Sequence, residues 1–202
     1  MVKVKFCGIK RLEDLQKAIS LGVHYVGFVL YPKSPRYVSL DQLKVLVDTA
    51  DTIKKVAVMV NPDYEDVRKV FDTGIDMVQL HGEESFSFAK KIGAERVIKA
   101  FRVRDKIYVS EEWKKVYAVL LDAYSERLYG GTGKTFSWNL AKDIVNKGFR
   151  VFLSGGLNPI NVGEAIKQVS PYCVDVSSGI EIEPGIKDHS KMEAFVRAVF
   201  QE

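Results

Sequence analysis

Residues 150–179, RVFLSGGLNPINVGEAIKQVSPYCVDVSSG, contain one complete unit of the fold. An apolar run at 150–154 ends in a serine followed by two glycines, and an Asn-Pro pair comes next. Apolar residues then recur at helical spacing through Ile160, Val162, Ala165, Ile166 and Val169, before a second apolar run at 173–177. Short β-branched and aromatic runs bounded by glycine and serine read as strands, and the stretch between them reads as a helix with one core face. Strand, covering helix and strand joined by short connections imply a parallel pair.

The same alternation extends in both directions. Eight apolar runs stand out, at 2–7, 25–30, 55–60, 76–81, 96–101, 116–122, 150–154 and 173–177. Ser39 with Gln42 forms a capping-box pattern, and Asn61-Pro62 and Asn158-Pro159 each place a cap residue before proline at a first helical position. The last amphipathic segment carries Met192, Phe195, Val196 and Val199 on one face. Eight parallel strands with right-handed crossovers predict a single-domain (β/α)8 TIM barrel over residues 1–202, with an open doubly wound sheet as the alternative. Between Phe101 and Val116 only about a dozen residues remain, so the fifth helix is expected to be short or missing.

Composition fits one core: 202 residues, 47% hydrophobic. Thirty basic against 26 acidic residues leave a net charge of +4, with neither sign collected into a run. That pattern argues against a nucleic-acid or membrane partner and only weakly favours anionic small molecules. No signal-peptide core and no stretch of about 18 apolar residues is present, so a cytoplasmic protein is expected. Cys7 and Cys173 lack close Cys/His spacing, which argues against a disulfide framework or a metal site.

Barrel active sites lie at the C-terminal strand ends, and this rule separates the two cysteines. Cys7 ends strand 1, whereas Cys173 opens strand 8 and reads as a small core residue. Asp122 closes the apolar run 116–121, either as a cap or loop-closing group or as a functional carboxylate. His81 ends strand 4, placed either to contact substrate or to be satisfied by loop backbone. Gly155 and Gly156 after strand 7, and Ser177, Ser178 and Gly179 after strand 8, suit a phosphate cradle of backbone N–H groups, with two tight turns as the alternative. Residues 130–135, GGTGKT, imitate a nucleotide-binding P-loop, but the first required glycine falls on Leu128 and strand 6 ends six residues earlier. A mobile loop over the barrel mouth, with Lys134 exposed or reaching toward substrate, fits better.

Taken in order, KFCGI (5–9), GFVLYPKSPRY (27–37), VQLHG (78–82), LD (121–122), GGTGKTF (130–136), LSGGLNP (153–159) and VDVSSG (174–179) resemble the phosphoribosylanthranilate isomerases of tryptophan biosynthesis. The resemblance implies a cofactor-free Amadori rearrangement of a small phosphorylated substrate. It implies Cys7 as general base, Asp122 as general acid, Arg36 on the anthranilate carboxylate and the loops after strands 7 and 8 on the phosphate. For His81, Asp175 and Lys134 it offers motif membership without a role. It leaves monomer and homodimer both open.

Those roles demand shifted protonation. Asp122 would have to rise from near 3.9 by about 3 pH units, roughly 4 kcal/mol, and Cys7 to fall from near 8.5 by about 1.5, roughly 2 kcal/mol. Alternation along strand 1 puts Lys3, Lys5 and Cys7 on one face, expected to be the interior, where Lys5 favours the thiolate. A buried lysine needs a counter-charge, and Asp175 on strand 8, beside strand 1 once the barrel closes, is the expected partner. The competing enzyme class is another phosphate-binding barrel, such as an indole-glycerol-phosphate synthase or a Schiff-base aldolase. Lys99 on strand 5 is the remaining interior lysine candidate for a Schiff base. A silent barrel that only binds phosphorylated metabolites is the non-enzymatic alternative.

Overall fold

The computed structural model describes residues 1–50, 52–104, 106–123 and 137–200. Eight parallel strands close into a barrel in chain order: β1 (Lys3–Cys7), β2 (Tyr25–Val29), β3 (Lys54–Met59), β4 (Met77–Leu80), β5 (Val97–Val103), β6 (Ala118–Ala123), β7 (Val151–Leu153) and β8 (Cys173–Val176). The register across the closing seam pairs Lys5 with Asp175 and Val4 with Val174. The expected (β/α)8 barrel is therefore the fold, and the open sheet is excluded because β1 pairs both β2 and β8.

Among the described residues seven helices surround it: α1 (Leu12–Ser20), α2 (Leu40–Thr49), α3 (Tyr64–Phe71), α4 (Phe86–Lys91), α5 (Trp138–Asn146), α6 (Val162–Val169) and α7 (His189–Phe200). Among its described residues the crossover from β5 to β6 carries only a 3-10 turn, Glu111–Lys115, in place of a helix. Trp113 fills the vacated space, edge-on to Phe86 and Phe101 at centroid distances of 5.4 and 5.8 Å. One large side chain thus covers what a helix covers elsewhere.

Strand alternation divides the core in two. Val4, Phe6, Phe28, Val78 and Leu121 face outward to the helices, while Tyr25, Val56, Met77, Ile98, Leu120, Phe152 and Cys173 fill the lower barrel interior. Cys173 is fully buried there, in the core role expected of it.

Helix starts agree in part. Ser39 and Gln42 form the reciprocal capping box of α2. Asn61, however, does not cap α3; Asp63 does, accepting from the Asp66 N–H at 2.8 Å. Asn61 instead sits at φ +47° and its side chain accepts from the Glu83 N–H, tying the β3 loop to the β4 loop. Asn158 accepts from the N–H groups of Ile160 and Asn161 in a turn, and α6 begins only at Val162. Ile160, expected on the core face, consequently lies outside the helix and is 96% exposed. No helix among the described residues is long and apolar enough to cross a membrane.

Candidate active site

Above the apolar floor the barrel interior turns polar. Lys5, buried from water, donates to Asp175 Oδ1 at 2.7 Å and to Gln79 Oε1 at 3.0 Å, and Asp175 Oδ2 accepts from Ser154 Oγ at 3.0 Å. The ion pair inferred from strand parity is thus present beneath the barrel mouth. Burial alone would lower the Lys5 pKa, but the attraction of the Asp175 carboxylate and of the Cys7 sulfur outweighs it, and the ammonium form is held more firmly than usual.

One layer higher lies a small cleft that opens to solvent at the barrel mouth. Cys7, Arg36, His81, Asp122 and Ser177, from five different strands or strand loops, line it together. Gly155, Gly156, Ser178 and Gly179 do not line this cleft and stand half-buried on the adjoining loops. Gly155 and Gly156 both have positive φ, +90° and +68°, which glycine adopts without strain. A Cβ on Gly179 would stand 1.9 Å from the Leu157 carbonyl oxygen, so the loops after β7 and β8 touch through this glycine. Lys134 and the rest of the 130–136 block lie outside the described residues.

Gly27 serves the thiol directly. A Cβ there would meet Cys7 Sγ at 2.9 Å, so the absent side chain on β2 is the space the sulfur occupies. Burial pushes the Cys7 pKa up; Lys5 and Lys187 pull it down and Asp175 adds to the rise, leaving it above the ordinary thiol value. Lys5 does favour the thiolate as expected, but the net fall that the base role asks for is not there, because desolvation of a thiolate outweighs a cation already shared with Asp175.

Across the cleft, Asp122 Oδ2 faces His81 Nε2 at 3.5 Å, and both side chains are buried. His81 Nδ1 meets Gln79 Nε2 at 2.8 Å. Arg36 is engaged by a partner that strand patterns did not indicate: its Nε and Nη2 donate to Glu181 Oε1 and Oε2 at 2.9 and 2.6 Å. That grip uses one edge of the guanidinium and leaves the Nη1 side for a second planar anion. Lys99, expected inside, points the other way. It pairs in register with Leu80 on the helix-facing side and donates to Glu84 and the Gly82 carbonyl, both at 2.7 Å. No Schiff-base lysine reaches the cleft from β5.

A family model described as N-(5'phosphoribosyl)anthranilate (PRA) isomerase matches residues 4–198. The N-(5'-phosphoribosyl)anthranilate isomerase of Aquifex aeolicus is 49% identical over 204 residues, covering 100% of both chains. The chain belongs to the phosphoribosylanthranilate isomerase family. Among solved structures, monomers generated from the dimeric isomerase of Thermotoga maritima share 37% identity at a TM-score of 0.87, with 100% of each chain covered. A phosphoribosylanthranilate isomerase in complex with reduced 1-(o-carboxyphenylamino)-1-deoxyribulose 5-phosphate shares 36% identity at a TM-score of 0.86, again over 100% of each chain.

For this member of the isomerase family, the sequence reading missed Gln79, Glu181 and Lys187. Glu181 and Lys187 sit on a short antiparallel hairpin after β8, β9 (Glu181–Glu183) and β10 (Ile186–Lys187). Lys187, buried, donates to the Cys7 carbonyl at 2.6 Å, to Glu181 at 2.8 Å and to the Ser177 carbonyl at 3.2 Å. Burial would raise the Glu181 carboxyl, but bonds from Arg36 and the charge of Lys187 bring it below the usual range. The hairpin therefore locks Arg36, the Cys7 backbone and the β8 loop to one another. No periodicity marks it in EIEPGIKD; only Gln79 carried a signal, lying two residues before His81 on the same strand face.

Proposed function

We propose that the chain catalyses the Amadori rearrangement of N-(5-phosphoribosyl)anthranilate to 1-(2-carboxyphenylamino)-1-deoxyribulose 5-phosphate without a cofactor, with Cys7 as general base and Asp122 as general acid. The observation that carries this reading is a thiol at the end of β1 and a carboxyl on β6, three strands away round the barrel, opening on one cleft.

Asp122 gives a proton to the furanose ring oxygen while the anilino nitrogen lone pair closes to an iminium and the C1–O bond breaks. The iminium acidifies the C2 hydrogen, which the Cys7 thiolate removes; the released electron pair forms the C1–C2 double bond and neutralises the nitrogen. Reprotonation at C1 and loss of the enol proton yield the ketone. The iminium cation of the substrate opposes the burial that raises the Cys7 pKa, so thiolate is favoured when it is needed. Arg36 offers its remaining edge to the anthranilate carboxylate, and the loops bearing Gly155, Gly156, Ser177, Ser178 and Gly179 take the phosphate. Two buried free cysteines suit a reducing compartment such as the cytoplasm. Monomer and homodimer both accommodate a cleft built from one chain.

The test is loss of substrate fluorescence with purified protein. Cys7→Ala and Asp122→Asn are each expected to lose about 10²-fold or more in kcat. Near-parent rates in either variant overturn the assignment of that residue, and no turnover by the folded parent overturns the function.

A further inference from the structure

His81 Nε2 is buried and has no hydrogen-bond partner among the described residues, yet it lies 3.5 Å from Asp122 Oδ2. A buried polar atom left unsatisfied next to a reacting carboxyl calls for an account. The hydrogen-bond chain behind the ring supplies one. Lys5 is a donor only, so its 3.0 Å bond fixes the oxygen of the Gln79 amide toward β1 and turns the amide nitrogen toward His81. The 2.8 Å contact between that nitrogen and His81 Nδ1 then requires Nδ1 to be the acceptor. A neutral imidazole whose Nδ1 accepts carries its hydrogen on Nε2.

We infer that Lys5 and Gln79 lock His81 as the Nε2–H tautomer and make it a fixed donor to Oδ2 of Asp122, a positioning residue for the acid. The inference rests on Asp122 being the acid. When Asp122 gives up its proton, negative charge develops on a buried carboxylate, and a donor already aimed at Oδ2 stabilises that charge without reorganisation. The same bond leaves Oδ1 as the oxygen that delivers the proton. At 3.5 Å the contact is long for a hydrogen bond, and contacts of this kind commonly shorten in the Michaelis complex. The chain from Lys5 through Gln79 and His81 to Asp122 ties the lysine beside the base to the acid across the barrel.

The tautomer is read by ¹⁵N NMR of the full chain labelled at its three histidines, with the His81 signals assigned by their loss in His81→Gln. The expected spectrum has a non-protonated Nδ1 and a protonated Nε2, and Gln79→Glu, which sets an acceptor against Nδ1, moves the proton there. A protonated Nδ1 in the parent overturns the lock. In kinetics, His81→Leu is expected to lose about 10-fold to 100-fold in kcat with KM within threefold, and His81→Gln, which keeps a donor near the Nε2 position, to recover most of it. In the Asp122→Asn background His81→Leu is expected to add little, because the two act as a unit. A loss confined to KM, equal losses in the Leu and Gln variants, or full additivity with Asp122→Asn each overturn the positioning role. If Asp122→Asn alone is fully active, the acid assignment fails while the tautomer result still stands, so the two failures are distinguishable.

Discussion

Replacing Lys5 by Met tests the polar layer beneath the cleft. The substitution removes a buried ammonium and leaves the Asp175 carboxylate, itself buried, with the Ser154 hydroxyl as its remaining partner. Breaking a buried pair from one side costs about 3–5 kcal/mol, because the surviving charge is uncompensated. For a chain of this length roughly 2–4 °C accompany each kcal/mol, so Tm should fall by about 6–20 °C. Lys5→Met with Asp175→Asn removes both charges and should recover most of that loss, giving a coupling of about 2 kcal/mol or more in the double-mutant cycle. Activity should not recover in parallel, since neither variant restores a cation beside the Cys7 thiol. Differential scanning fluorimetry and steady-state kinetics on the four proteins decide it. A Lys5→Met protein within about 2 °C of the parent, or a double variant no more stable than the singles, refutes the reasoning.

Because burial raises the Cys7 thiol, its alkylation by iodoacetamide in ligand-free protein should keep accelerating as pH rises past about 9, and a plateau by pH 8 contradicts this. The folding linkage has the matching sign: Cys7 and Cys173 keep their protons in the folded state after the unfolded chain has lost its own, so their contribution is complete below about pH 8.5 and declines as pH climbs through the raised values. Gly179→Ala forces a methyl to within 1.9 Å of the Leu157 carbonyl oxygen and must part the two loops. KM for the phosphorylated substrate should rise about tenfold or more, and an unchanged KM argues against these loops as the phosphate site.

What was legible in the sequence was whatever obeyed a period. Strand parity placed Lys5, Cys7 and Asp175 in the barrel interior, and closure of the barrel made the first and last neighbours, so the ion pair followed without any contact being seen. Parity failed for Lys99 because both faces of β5 are apolar around it: Ile98 and Ala100 fill the interior while Val97 and Phe101 face the helices. Its burial on the outer face depends on Glu84 and Trp113, which arrive from distant loops. The caps at Asn61 and Asn158 failed for a related reason. Asparagine before proline suits a tight turn as well as a cap, and here the side chains tie loops or turns that precede the helices. The hairpin with Glu181 and Lys187 is a tertiary feature, since its two strands are three and two residues long and carry no repeat to detect.

That hidden hairpin changes how the cleft should attract its ligand. In and beneath the cleft each of the three buried cations is already held by a carboxylate: Lys5 pairs with Asp175, and Arg36 and Lys187 share Glu181. Anion capture therefore does not rest on a buried cation waiting unpaired. In the proposed site it comes from directed donors: the backbone N–H groups of the loops after β7 and β8, and the guanidinium edge that Glu181 leaves uncovered. The carboxylates hold the cations in place instead of competing for the ligand. Asp175 fixes Lys5 beneath the thiol, and Glu181 fixes Arg36 at the rim with Lys187 bracing the Cys7 carbonyl. Preorganised donors cost little further ordering when an anion binds, which suits the proposed site, where a phosphate and a carboxylate are gripped while a thiol and an acid stay free to move protons between them.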